Sequence, residues 1–123
     1  VAVLGANESL EVSSVVSEII PKREFYDYQA KYIIDDTVIE LPAKISDALY
    51  QRIKETAKKI FIAIDGKGFS RIDFFYDEKR DKLCLNEINT LPGFTAISQY
   101  PQLMCASGYT YTELIEKILE LQV

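Results

Sequence analysis

Residues 69–76 have the sequence FSRIDFFY, and residues 83–89 have the sequence LCLNEIN. Side chains point alternately to the two faces of a β-strand, and both stretches place apolar residues at such positions. The polar residues 77–81 between them predict a turn, so the two stretches form an antiparallel hairpin. We expect this hairpin to organise the fold, with helices covering its apolar face.

Side-chain alternation divides the hairpin into two faces. We expect Ile72, Phe74 and Ile88 to lie on the face that the helices cover. The opposite face is predicted to carry Arg71, Asp73, Phe75, Leu83, Leu85, Glu87 and Asn89. With the turn at 77–81, Asp73 lies near Glu87, and Arg71 lies near Asn89.

Two opposed carboxylates on one face suggest chemistry, because like charges across a sheet repel and need a compensating cation. Arg71 supplies one positive charge. A divalent ion would supply more, and the oxygen atoms of Asp73, Glu87 and Asn89 are hard ligands that suit Mg²⁺. The alternative is a solvated salt bridge between Arg71 and Asp73, and the spacing alone leaves both interpretations open.

The residues before the hairpin predict strands and one clear helix. Residues 1–4 and 38–41 are expected to be short strands, and residues 10–16 contain a second strand. Residues 21–36 form a long irregular segment rich in aromatic and charged side chains, and long ordered loops are often functional. A helix begins after the N-cap Ser46 and continues to about Ile64 on a helical apolar pattern.

The residues after the hairpin predict two shorter helices. Residues 101–107 form one of them, and Gly108 follows its end. Residues 110–113 have the spacing of a capping box, which opens the last helix. We expect that helix to lie on the same sheet face as the first and to direct Leu114, Ile115, Ile118, Leu119 and Leu121 inward. The fold class is therefore α+β, an antiparallel sheet backed by helices, in one unit without repeats.

Composition excludes several classes of protein. The 123 residues are 48% hydrophobic and 27% charged, as in a globular domain rather than a disordered chain. The net charge of −5 and the lack of a basic cluster argue against nucleic acid as a partner. No apolar run is long enough for a membrane span. The absence of histidine excludes catalytic triads and histidine-ligated zinc.

The two cysteines, Cys84 and Cys105, are too few for a disulfide scaffold and lack metal-site spacing. We expect both to be reduced and buried, as in a cytoplasmic protein.

The loop after the second hairpin strand, residues 89–95, has the sequence NTLPGFT. Gly93 would allow backbone N–H groups to approach a ligand closely. An ordinary Pro-Gly turn is the alternative. The glycines at residues 66–68 lack the spacing of a phosphate-binding P-loop, so they predict a helix-ending turn.

Taken together, residues 71–73 and 85–95 resemble the carboxy-terminal signature of the D-alanine:D-alanine ligase family, an ATP-grasp family. Residues 25–32, FYDYQAKY, resemble the family's loop over the active site. The match continues through Ser98 to the last helix and covers essentially the whole chain. The resemblance implies the second half of an ATP-grasp fold over residues 1–123.

The resemblance also implies roles for individual residues. The metal ligands for two Mg²⁺ ions, with Mn²⁺ as an alternative, would be Asp73, Glu87 and Asn89, with Glu87 bridging both ions. The catalytic groups would be Arg71, the Gly93 N–H and Tyr32. Lys31, Phe25 and Phe75 would contact the co-substrate ATP. Ser98 would hold the carboxylate of the second amino acid, and Gln99 would lie near its side chain.

The implied reaction joins two D-alanine molecules through D-alanyl phosphate and supplies a dipeptide for peptidoglycan synthesis in the cytoplasm. Gln99 stands where many family members have an apolar residue, so D-serine is an alternative acceptor. We expect the chain to be a carboxy-terminal fragment, inactive alone, of a longer enzyme for which a homodimer is one candidate state. Two competing hypotheses are a non-catalytic binding module of this fold and a different ATP-grasp ligase.

Overall fold

The computed structural model describes residues 1–21 and 37–122. Its strands are β1 (Ala2–Gly5), β2 (Glu11–Val12), β3 (Glu18–Pro21), β4 (Thr37–Glu40), β5 (Gly68–Asp77) and β6 (Lys82–Asn89). The α-helices of these residues are α1 (Asp47–Ala63), α2 (Gln99–Ala106) and α3 (Tyr111–Glu120).

Four strands form the main sheet in the order β2-β1-β5-β6, and all neighbours are antiparallel. The hairpin of β5 and β6 is its longest pair, and a short 3-10 turn at Glu78–Arg80 joins the two strands. The predicted hairpin is therefore confirmed. Its first strand also pairs with β1, which puts β5 in the interior of the sheet.

The register of the hairpin changes partway along. Asp73 lies opposite Glu87, but the next residue, Phe74, lies opposite Leu85. The intervening Asn86 therefore has no partner, which is the arrangement of a β-bulge. Because one extra residue reverses the alternation of β6, Leu85 joins the face of Phe74.

This bulge corrects one prediction. Leu83 and Leu85 were expected beside Glu87, but they lie on the other face, opposite Tyr76 and Phe74. Leu83 is packed against the core under α1. A uniform period of two along β6 could not anticipate the extra residue.

Helix α1 covers one face of the sheet. Ser46 is its N-cap, as predicted, and its hydroxyl accepts from the Leu49 N–H at 3.2 Å. The buried residues of α1 are Leu49, Ile53, Ala57 and Phe61, and they pack with Val1, Val3 and Ile72 of the sheet. Ile64, expected to continue this stripe, is half exposed because the helix ends there.

Helices α2 and α3 cover the opposite face. The side chains of Ala2 and Leu4 point to the face opposite that of Val3. They form a second core with Tyr100, Met104 and Leu114. The Tyr100 hydroxyl donates to the Val3 carbonyl at 3.0 Å and fixes α2 on β1. The α+β class is as predicted, but the last helix does not lie on the face of the first. Strand β1 is apolar on both faces, so it is buried from both sides.

The predicted capping box of α3 is present, with Thr110 and Glu113 bonding reciprocally. Of the residues expected to point inward, Leu114 is buried, while Ile115 and Leu119 are exposed. The reason is that α3 lies at the margin of the second core, so only a narrow stripe of it meets the sheet. Cys84 is half-buried and Cys105 is exposed, so the expectation that both are buried is wrong; neither forms a disulfide.

Strands β3 and β4 form a separate two-stranded sheet with Ile19 opposite Ile39. The strand expected within residues 10–16 consists of two residues only. Ser13 explains its end. Its backbone N–H still donates to the Ala2 carbonyl at 2.9 Å, but its hydroxyl rather than its carbonyl accepts from the Ala2 N–H, and that hydroxyl donates to the Val15 carbonyl. Within the described residues, no helix is long and apolar enough to span a bilayer.

Ile72 lies at the centre of the α1 core and is fully buried, so Ile72→Ala should lower the free energy of unfolding by about 2–5 kcal/mol. The matched change Ile62→Ala, on the exposed side of α1, should cost less than about 0.5 kcal/mol. Urea unfolding measures both. Equal losses in the two variants would contradict this description of the core.

Candidate active site

The structure brings together the polar residues that the hairpin was predicted to align. Asp73 lies opposite Glu87, and Arg71 lies opposite Asn89, on the face of the sheet away from α1. Helices α2 and α3 cover this same face near β1. All four residues lie on the side of the bulge nearer the 90–98 loop.

Arg71 and Asp73 form a bidentate ion pair. The Arg71 Nε donates to Asp73 Oδ1 at 2.9 Å, and one terminal nitrogen donates to Oδ2 at 2.8 Å. The same nitrogen is 3.8 Å from Glu87 Oε1. The side chains of Arg71 and Asp73 are 17% and 16% exposed, while that of Glu87 is 48% exposed. The guanidinium therefore offsets the repulsion between the carboxylates and leaves Glu87 open to solvent.

Asn89 is anchored where β6 ends. Its side-chain oxygen accepts from the Leu91 N–H at 3.3 Å, which turns the chain out of the sheet. Its backbone carbonyl accepts from the hydroxyl of the buried Ser70 at 2.8 Å. These two bonds hold Asn89 beside Arg71 and set the start of the following loop.

The donor set of this face fits a hard divalent cation. Two carboxylates and an amide oxygen are the ligand types that Mg²⁺ takes, usually with water or phosphate oxygens completing its coordination. Within residues 1–21 and 37–122, no group of three or more His, Cys, Asp or Glu residues is arranged to hold a metal ion. The pair Asp73 and Glu87 would thus depend on Asn89 and on substrate oxygens to complete a site.

The loop between β6 and α2 is held by side chains. Gly93 is exposed, and a Cβ there would lie only 2.9 Å from the Ser98 Oγ, so the position suits glycine. The ring of Phe94 packs edge-on against Phe69 and contacts Tyr100. The Tyr111 hydroxyl donates to the Phe94 carbonyl. The Pro-Gly segment is therefore tied to both α2 and α3.

Ser98 and Gln99 stand at the start of α2. The Ser98 Oγ accepts from the Thr95 N–H at 2.9 Å and lies 2.8 Å from the Thr95 Oγ1. Gln99 is half-buried, and its Oε1 accepts from the Ser17 hydroxyl at 3.1 Å. The side-chain nitrogen of Gln99 has no protein partner within the part of the chain that the structure describes.

The sequence of this chain matches a known protein family. The family model described as "D-ala D-ala ligase C-terminus" matches residues 1–120. The chain belongs to this family. A D-alanine--D-alanine ligase of Acetivibrio thermocellus is 48% identical over 99% of the chain and 32% of the relative. One of Pelodictyon phaeoclathratiforme is 50% identical over 98% of the chain and 33% of the relative. The chain thus spans about a third of the length of these relatives.

Solved structures of the ligase family have the same fold. The VanG D-Ala:D-Ser ligase from Enterococcus faecalis superposes with a TM-score of 0.84 at 38% identity, covering 99% of this chain and 35% of that one. The D-alanine-D-alanine ligase from Coxiella burnetii gives 0.80 at 32% identity, covering 98% and 30%. The resemblance and the fold class stated from the sequence are confirmed.

The remaining predicted residues of the ligase site divide into two groups. Phe75 lies two residues beyond Asp73 on the same face of β5 and is 65% exposed, and its contact with ATP stays a prediction. Phe25, Lys31 and Tyr32 lie outside the described residues, so their roles stay predictions.

Sequence analysis missed three side chains that support the candidate site. Ser70 and Thr95 bond to the predicted site residues Asn89 and Ser98, and Tyr111 bonds to Phe94, the neighbour of Gly93. Ser70 gave one usable signal, a polar residue at a position of β5 that alternation assigns to the core. Nothing in the local pattern marks Thr95 or Tyr111, because their partners are brought together by the loop.

A shallow depression of about 500 Å³ lies elsewhere and contains none of the predicted site residues. It is lined by Glu11, Ser107, Gly108, Tyr109, Glu113, Glu116, Lys117 and Glu120. Burial and the bond to Glu11 raise the pKa of Tyr109 to about 12, so its hydroxyl stays protonated as a donor.

Ser70→Ala tests the anchoring of Asn89. It removes a buried donor from the Asn89 carbonyl, and we expect a loss of about 1–3 kcal/mol in unfolding free energy. Ser9→Ala removes an exposed hydroxyl that also donates to a backbone carbonyl, and it should cost less than about 0.5 kcal/mol. Thermal and urea unfolding compare the two. A Ser70→Ala variant as stable as its parent would show that this bond does not anchor the end of β6.

Proposed function

We propose that the chain is the carboxy-terminal ATP-grasp subdomain of an ATP-dependent D-alanine:D-alanine ligase that works in the cytoplasm. The observation that carries the proposal is the alignment of Arg71, Asp73, Glu87 and Asn89 on one face of the hairpin, away from α1. The membership of the family supports the reaction class. The substrates are ATP and two D-alanine molecules, and the product is the dipeptide used for peptidoglycan.

The two carboxylates, which face one another across β5 and β6, would hold Mg²⁺. Asp73 would ligate one ion, Asn89 the second, and the more exposed Glu87 both. Bound there, the ions would neutralise phosphate charge and orient the phosphates for transfer. Asp73 is preset for this task because both its oxygens are already oriented by Arg71.

Arg71 would stabilise the negative charge that the reaction creates. In the first step the carboxylate of one D-alanine would attack the γ-phosphorus of ATP, the bond from that phosphorus to the β–γ bridging oxygen would break, and ADP would leave, which gives an acyl phosphate. In the second step the amine of the other D-alanine attacks that carbonyl and expels phosphate. A guanidinium stays charged at any relevant pH and presents parallel donors to phosphate or oxyanion. The exposed Gly93 N–H would add a backbone donor, as in other oxyanion sites.

The nucleotide would be enclosed in part by residues of this chain. Phe75 offers an exposed ring beside the carboxylate face, suitable for packing on a base. By family resemblance, Phe25 would form another wall, Lys31 would meet the phosphates, and Tyr32 would help close the site. Because the chain spans about a third of its relatives, we propose that it does not catalyse in isolation.

The second amino acid would bind at the start of α2. Ser98 would hold its carboxylate, and Gln99 would approach its side chain. D-alanine is the acceptor we propose, in line with the names of the relatives above. D-serine is the second candidate, because the side-chain nitrogen of Gln99 can donate to a hydroxyl while Ser17 occupies its oxygen.

Glu87→Gln in the full-length enzyme is the main test of the proposal. The change keeps shape but removes the charge that would bridge two ions, and loss of such electrostatic stabilisation costs about 10²–10³ in rate. We expect peptide synthesis to be nearly abolished, with the melting temperature unchanged or slightly higher because repulsion with Asp73 is relieved. Phosphate release with D-alanine across a Mg²⁺ titration measures the effect.

Glu55→Gln, on the exposed side of α1, is the matched control and should leave both rate and stability unchanged. Asp73→Asn should shift the Mg²⁺ dependence in the same direction as Glu87→Gln. Near-parental turnover in Glu87→Gln would overturn the metal-bridge assignment.

Gln99→Leu tests the acceptor. With D-alanine and D-serine competing at equal concentration, the parent should form some D-alanyl-D-serine, and Gln99→Leu should lower that share about tenfold, since a hydroxyl facing leucine loses its partner. Mass spectrometry of the dipeptides gives the ratio. An unchanged ratio would show that Gln99 does not face the acceptor side chain.

A further inference from the structure

The hydroxyl of Ser98 makes two close contacts with a single residue, Thr95. The Thr95 N–H donates to the Ser98 Oγ at 2.9 Å, and the Thr95 Oγ1 lies 2.8 Å from the same atom. The distance alone does not say which hydroxyl donates in the second contact. The hydrogen-bonding capacity of the groups decides it.

A serine hydroxyl can donate one hydrogen bond and accept two. If the Thr95 hydroxyl donates, both acceptor positions of Ser98 are filled by Thr95, and the Ser98 proton points elsewhere. If Ser98 donates instead, the Thr95 proton needs another acceptor, and the described residues supply none for it. The first arrangement therefore satisfies more hydrogen-bonding groups whenever an acceptor lies in front of Ser98.

A carboxylate is such an acceptor, since an ionised carboxylate can only accept. We propose that Thr95 is a positioning residue for the second substrate: it fills both acceptor positions of Ser98 and so commits the Ser98 hydroxyl to donate to the substrate carboxylate. This inference rests on the proposed function, which assigns Ser98 to that carboxylate. Thr95 itself does not contact the substrate.

The backbone of Thr95 is fixed well enough for this role. The peptide group between Phe94 and Thr95 is held at both ends, its carbonyl by the Tyr111 hydroxyl and its N–H by Ser98. The Ser98 N–H in turn donates to the Thr95 carbonyl at 3.0 Å. Ser98 and Thr95 are therefore locked together by reciprocal bonds.

The test uses the full-length enzyme with Thr95→Val and Thr95→Ser. Valine keeps the shape and the backbone N–H but lacks the hydroxyl, whereas serine retains it. We expect Thr95→Val to raise the KM of the acceptor amino acid about tenfold, with the KM of ATP and kcat at saturating acceptor within about twofold of the parent. Thr95→Ser should restore the parental acceptor KM. Thr95→Ala makes the same deletion without a branched side chain and replaces Thr95→Val if that variant melts early.

Tyr111→Phe is the matched control for a loosened loop. It removes a hydroxyl that holds the same peptide group but does not touch Ser98. If Thr95 acts only by stiffening the loop, Tyr111→Phe should raise the acceptor KM as much as Thr95→Val does, and that result would overturn the proposal.

Ser98→Ala completes a double-mutant cycle with Thr95→Val. Thr95 is expected to act through Ser98, so adding Thr95→Val to Ser98→Ala should raise the acceptor KM no further. An additional tenfold rise in the double variant, or an unchanged KM in Thr95→Val, would contradict the role of Thr95. A parental enzyme without ATP- and D-alanine-dependent phosphate release would refute the proposed function itself, a result independent of the variants.

Discussion

Two carboxylates, Asp73 and Glu87, face one another across neighbouring strands, and the backbone pairing and a nearby guanidinium hold them in place. Their repulsion would favour moving apart, yet the ladder between β5 and β6 fixes their backbones. Arg71, two residues before Asp73 and on the same face, supplies the compensating charge through a bidentate contact. The half-buried position of that ion pair strengthens its electrostatics relative to a surface pair, because water screens it less.

The bulge at Asn86 marks where the polar residues Asp73 and Glu87 end on this face of the hairpin. Between Asn89 and Glu87 the hairpin holds polar residues on the face away from α1, and on the other side of the bulge the reversed alternation places Leu83 and Leu85 on the face of α1. Leu83 packs against the core there, whereas Leu85 is exposed. Without the extra residue, both leucines would stand on the polar face beside Glu87. One unpaired residue thus allows the same strand to present Glu87 and Asn89 on one face and Leu83 to the hydrophobic core on the other.

The sequence predicted the features that depend on local pattern. The pairing of Asp73 with Glu87, the N-cap Ser46 and the capping box at Thr110 each rest on residues close together in the chain, and the structure has all three. The predictions that were wrong depend on contacts between residues far apart in the chain. Both apolar faces of β1 look alike in a four-residue run, so the side taken by α3 could not be derived. The bulge depends on the fit of β6 to β5 rather than on either strand alone.

The charges on this face also give its two carboxylates different environments. Arg71 neutralises one of the two carboxylates, so Arg71, Asp73 and Glu87 together carry one net negative charge. Asp73 is shielded by the guanidinium, whereas Glu87 is three times as exposed and approaches Arg71 only to 3.8 Å. A cation arriving from solvent would therefore meet Glu87 first. In the proposed function, a cation bound there would remove the remaining repulsion with Asp73 and would let Arg71 turn its donors toward an anion. In the proposed function, the ion pair that stabilises this face without ligands would thus also give it affinity for a cation and a phosphate together.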